Sequence, residues 1–277
     1  MTITWPGGSK VKHLLSVCLL LLTLTGCAAA PAPETPSISL QDPFAYASEL
    51  SHRHGVEILV GEKAAEVLPW DYDITPETDN QEILDALTQL DRGLQKYPAG
   101  MVRVLSQDAG GLHICIVREI LGKEDTGSLD SAKGLQFRDP SRGTFLMLAK
   151  DRENTLYHEL CHVLEDFVVP RSDAWKDWQS LNPEGFAYDM DFEKNRDRDG
   201  SPWLQEKTQA FVDTYSMSFP REDRARIMEY AMAEGNEDLF ASPVMQKKLL
   251  CLSQGIREAF SLTDPQMNLS WEQYLKP

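Results

Sequence analysis

The chain reads as an α+β protein, with a mixed-sheet lobe over about residues 41–168 and a mainly helical lobe over about 169–277. Three observations predict it. Apolar runs of strand length, at 56–60, 112–117 and 144–149, alternate in the first part with stripes of helical period. The run from Arg152 to Val169 then carries apolar residues at helical spacing with no Gly or Pro. Beyond Pro170 the starts Ser218-Phe219-Pro220 and Ser242-Pro243 each open a helical pattern.

The first residues precede the folded part. Lys10 and Lys12 stand ahead of an apolar segment from Leu14 to Leu24, too short for a comfortable membrane span. It ends in Leu24-Thr25-Gly26-Cys27, which resembles the lipobox of bacterial lipoproteins. That resemblance implies a signal peptide over 1–26, cleavage after Gly26 and lipidation of Cys27. Two or more acyl chains hold a protein stably on a membrane, so the expected location is lipid-anchored and extracytoplasmic. Residues 27–40, rich in Ala and Pro, read as a flexible tether, leaving 41–277 as the folded domain. With 27 basic against 43 acidic residues, a net charge of −16, the surface suits neither nucleic acid nor anionic headgroups. With Cys18 in the signal and Cys27 the lipid site, Cys115, Cys161 and Cys251 remain, an odd number that gives no complete disulfide framework.

Taken in order, residues 42–54 read as a short helix closed by Gly55, and 56–60 as a first strand. Thr75-Pro76 is expected to start a helix whose stripe is Ile83, Leu87, Leu90 and Leu94. Residues 101–105 fit a short strand or the end of a helical stretch. Residues 112–117 read as a buried strand, with His113 a satisfied sheet histidine, and His52 and His54 fall at a surface helix end. The polar stretch 122–142 is expected to be loop, and 144–149 a strand offering an edge to an extended substrate. Residues 171–210, aromatic and charged without clear period, read as a long loop lining or covering a site. Within it, 195–206 has an EF-hand-like acidic spacing, but Asn195 and Pro202 break the pattern and favour a solvated turn over calcium.

The most informative stretch is His158-Glu159-Leu160-Cys161-His162. On a helix, positions i and i+4 share a face, so both imidazoles reach one metal ion. Glu159, turned by about 100°, reaches a water beside it. Chance alone would give the pattern in about one chain in a hundred of this composition. Cys161 points away from the shared face and reads as a small buried residue.

A catalytic zinc takes three protein ligands and leaves a fourth position for water. A metzincin would need Gly and His where Glu165 and Val168 stand, and the other histidines lie upstream. A downstream carboxylate is therefore expected, among Glu184, Asp189, Asp191, Glu193, Glu206, Glu222, Asp223 and Glu229. Glu222 is preferred because it opens a helix of the second lobe, with Glu184 its main rival. Tyr215 could bind an oxyanion and Asp223 could orient a ligand histidine. His158–His162 together with Tyr215-Ser216-Met217 and Glu222-Asp223-Arg224-Ala225 resembles bacterial lipoproteins described as candidate zinc-binding metallopeptidases. The segment Asn182-Pro183-Glu184-Gly185-Phe186-Ala187-Tyr188 is also similar to theirs. The likeness spans about residues 140–260 and implies a zincin-like fold of gluzincin type. It implies one catalytic Zn2+ on His158, His162 and Glu222, Glu159 as base, and a peptide or protein substrate. A zinc amidohydrolase of cell-wall amides and a non-catalytic surface-binding lipoprotein are the other classes open to this sequence; an intact Glu159 speaks against the second.

Overall fold

Asp42 begins the described chain by capping a helix: its side chain accepts from Phe44 N at 3.0 Å, and Pro43 occupies the first turn. The structure, a computed structural model, describes residues 42–67, 72–123, 131–190 and 209–276. The signal, the tether, Cys27 and the 195–206 stretch lie outside the described residues. Helix α1 (Pro43–His54) ends at Gly55, whose φ of 72° suits a residue without Cβ.

The sheet is mixed. Strands β1 (Glu57–Leu59), β3 (Leu112–Gly122), β5 (Gly143–Leu148) and β4 (Gly134–Asp139) lie in the order β1-β3-β5-β4. β1, β3 and β5 are parallel, while β4 runs antiparallel to β5. β2 (Tyr72–Pro76) pairs with the far half of the 11-residue β3, and a short helix α2 (Glu62–Ala65) precedes it. β3 and β5 read as unbroken apolar runs because both faces are covered. Ile114, Ile116, Leu146 and Leu148 join the main core on one face. Cys115, Val117, Phe145 and Met147 form a smaller core with Ala64 and Val67 on the other.

Three expectations are corrected here. Thr75-Pro76 ends β2 instead of opening a helix; α3 (Asn80–Gln95) starts where Asp79 accepts from Gln81 N and Glu82 N at 2.8 and 3.1 Å. Pro76 lacks a ladder N–H, and the β2–β3 register slips between Thr75 and Pro76. The 122–142 stretch is not all loop, since it holds the last residue of β3 and the whole of β4. The 144–149 stretch offers no edge, because β5 lies between β3 and β4. Among the described residues, the strand beyond β5 is β4, an edge strand of the sheet, as β1 is at the opposite end.

Residues 101–105 belong to helix α4 (Met101–Asp108), with Met101, Val102 and Leu105 buried. Helix α5 (Arg152–Val168) follows β5 after three residues and lies between the sheet and the second lobe. Leu156, Leu160 and Leu164 are fully buried on it, so Leu160→Ala would cost about 2–5 kcal/mol. The second lobe contains α6 (Pro220–Met232), α7 (Glu237–Phe240) and α8 (Pro243–Ala259), with 3-10 turns at Trp178–Leu181, Tyr215–Met217 and Ser270–Glu272. α6 packs along α5, and its Ala225, Met228 and Met232 are buried. No helix among the described residues is long and apolar enough to cross a membrane.

Candidate metal centre

α5 carries His158 and His162 one turn apart, with ring centroids 4.9 Å from each other and planes at 89°. Across the groove between α5 and α6, Glu222 sits in the first turn of α6, where a helix N-terminus favours a carboxylate. Glu222 Oε2 lies 3.2 Å from His158 Nε2 and 3.6 Å from His162 Nε2. One ligand atom from each of the three residues falls within 4.8 Å of the others.

These residues fit a zinc ion. Two imidazole nitrogens and a carboxylate oxygen are a donor set that zinc takes, and three ligands leave a position for water. Glu222 is only 5% exposed, and its Oε2 has no directed hydrogen bond although two ring nitrogens flank it. A buried carboxylate oxygen in that position calls for a cation. Burial would push the Glu222 pKa up, but the two imidazoles hold it far below the usual carboxylate range. Burial likewise works against a charged His158, yet Glu222 and Glu229 outweigh it and hold its pKa at about 10 without a metal.

Glu159 is 6% exposed on the same helix. Burial raises its pKa to about 7, aided by the charges of Glu222 and Glu229 and partly opposed by His158. Tyr215 lies beside this group, its ring 6.3 Å from that of His158, and hydrogen-bonds Glu222. Burial and the charges of Glu222 and Glu159 push its phenol pKa up, so the hydroxyl keeps its proton.

Several other side chains fix the two histidines. Glu229, two turns beyond Glu222, places Oε2 3.2 Å from His158 Nδ1, and Arg226 ties Glu229 to Asp213. Arg221 Nε donates to His162 Nδ1 at 3.0 Å, and its Nη2 donates to Gln136 Oε1 on β4 at 3.0 Å. While Arg221 holds Nδ1, the ring proton of neutral His162 sits on Nε2. The Nε2 lone pair becomes available to a metal only when Arg221 lets go.

Asp223 does not take the role expected of it. Its Oδ2 accepts from Trp178 Nε1 at 2.9 Å, Tyr188 OH at 2.6 Å and Lys248 Nζ at 2.7 Å, all away from the histidines. One step along a helix turns a side chain by about 100°, which carries Asp223 toward α8 while Glu222 faces α5. The carboxylate that faces His158 Nδ1 is Glu229. Its seven-residue spacing from Glu222 was the available sign, since i and i+7 share a face. The rival Glu184 is exposed and outside the cluster. His113 faces Glu57 and the Arg142 carbonyl, and His54 faces Asp91. Cys161 is fully buried, and burial pushes its thiol pKa up.

No family model matches the chain, and no curated protein sequence matches it. Among solved structures, it is similar to a protein of Bacteroides caccae described as a candidate zinc-binding metallo-peptidase. The identity is 13%, the match covers 83% of this chain and 92% of that one, and the TM-score is 0.47. A likeness this distant leaves the function to be argued from the side chains.

Proposed function

We propose that this chain is a zinc-dependent peptidase of gluzincin type, held on the outer face of a bacterial membrane through lipidated Cys27. The observation that carries the catalytic reading is the convergence of His158 Nε2, His162 Nε2 and Glu222 Oε2 beside a buried Glu159. The membrane reading rests on the Lys10–Cys27 pattern alone.

His158, His162 and Glu222 would hold the ion; when bound, zinc lowers the pKa of a water and polarises the scissile carbonyl. Glu159 takes a proton from that water and returns it to the leaving amine, a task suited to a carboxylate whose pKa burial has raised toward 7. Tyr215, protonated at neutral pH, donates to the developing oxyanion. Glu229 keeps His158 turned so that Nε2 faces the site. The free side of β4 offers main-chain groups to an extended peptide.

The test uses the full-length protein loaded with zinc and a peptide library. Glu159→Ala should keep its zinc and lose turnover by about 10²–10⁴-fold, the range for a general base. Glu222→Ala should lose most of its zinc. Full turnover in Glu159→Ala would remove the base, and activity confined to purified cell wall would sink the peptidase reading.

A further inference from the structure

We propose that Gly134 is a positioning residue for Glu159, leaving empty the space in which that carboxylate sits. The proposal rests on the reading of Glu159 as the base. Gly134 opens β4, opposite Leu148 of β5. A Cβ built there would lie 2.3 Å from Thr155 Cγ2, 2.7 Å from Glu159 Oε1 and 3.0 Å from Glu159 Cγ. Among the described residues, this is the glycine whose Cβ would reach a side chain of the metal centre.

Backbone geometry does not ask for glycine here. Gly134 is not among the residues of positive φ, so an alanine would meet no strain from its own backbone. The reason for glycine is therefore the close approach of α5. Nor can β4 easily retreat. The carbonyl of the preceding Lys133 accepts from Ala149 N at 2.9 Å and from Lys150 N at 3.2 Å, tying the strand to the end of β5. Thr155 is held in turn, because its Oγ1 donates to the Lys150 carbonyl at 2.7 Å. The Thr155 contact forces a small shift of α5 against β4, and at the second contact the flexible part that yields is the end of the Glu159 side chain. A base moved by about 1 Å loses on the order of a hundredfold in rate.

The experiment measures kcat, KM, zinc Kd and melting temperature on the full chain. Gly134→Ala should lower kcat about a hundredfold while KM and zinc Kd stay within about threefold. Thr155→Ser removes the methyl at 2.3 Å and keeps a hydroxyl for Lys150, so it separates the two contacts. In that background Gly134→Ala should recover part of its melting temperature and still turn over slowly. It should also cost melting temperature while Glu159 is present, and nothing once Glu159→Ala has cleared the space. Equal costs with and without Glu159, loss of zinc, or kcat restored to the Thr155→Ser value would each overturn the proposal. An inactive Glu159→Ala beside a fully active Gly134→Ala removes only the positioning role. A fully active Glu159→Ala removes the base and the proposal with it.

Discussion

Replacing Glu229 by Ala removes the acceptor 3.2 Å from His158 Nδ1 and frees that ring to turn. Two routes give the size of the effect. A hydrogen bond to a charged group contributes about 1.5–3 kcal/mol net. Loss of a partner behind a metal-ligating histidine weakens metal binding by about 10–100-fold, or roughly 1.4–2.7 kcal/mol. Both centre near 2 kcal/mol, so zinc should bind about thirtyfold more weakly. Stability should suffer less than at most buried charges, because Arg226 keeps Asp213 as a partner. Glu229→Gln keeps the volume and an acceptor for Nδ1 and should fall between the variant and the native protein. Competition with a chromophoric chelator measures the affinity. A zinc Kd for Glu229→Ala within threefold of the native value would refute the role given to this residue.

Arg221→Gln should tighten zinc binding by up to about tenfold, since it removes a positive charge and frees His162 Nδ1 to carry the ring proton; weaker binding on the same titration would contradict this. Lys248→Met should destabilise the protein by about 3–5 kcal/mol in urea melts, because Lys248 and Asp223 are both fully buried and Asp223 loses its cation. A loss under 1 kcal/mol would mean that Trp178 and Tyr188 suffice to hold the carboxylate. Burial opposes the charge on Glu272, but Arg257 and Ser253 hold its pKa below the usual 4.5. The stability that this ion pair contributes is therefore complete above about pH 4.5 and is lost as pH falls through the lower folded value. Glu272→Gln should melt lower at pH 7 and show a shallower acid decline below about pH 4.5; parallel declines would contradict this.

The donor pattern of the candidate site is legible in the sequence because its physics is local. His158 and His162 are tied by helical period alone, and Glu222 by its place at the start of a helix marked by Pro220. β3 and β5 announce themselves as apolar runs for the same reason that they sit inside the sheet. β4 does not, since Gln136 and Arg138 interrupt its apolar residues and only one side of it is paired. Pro76 is ambiguous in sequence because proline suits a helix start as well as a strand end; the cap of α3, Asp79, lies three residues on. Asp223 follows Glu222 in sequence yet faces Trp178, Tyr188 and Lys248, because adjacency in sequence is not adjacency on a helix. Arg221, Gly134 and Lys248 carry no pattern of their own. Each takes its place only when α5, α6, α8 and β4 come together.

The central claim is that His158, His162 and Glu222 hold one zinc ion. Diffraction from zinc-loaded crystals on either side of the zinc absorption edge tests it most directly. A single anomalous peak is predicted about 2.0–2.2 Å from His158 Nε2, His162 Nε2 and a Glu222 carboxylate oxygen. A peak that leaves out Glu222, or lies away from α5, would contradict it.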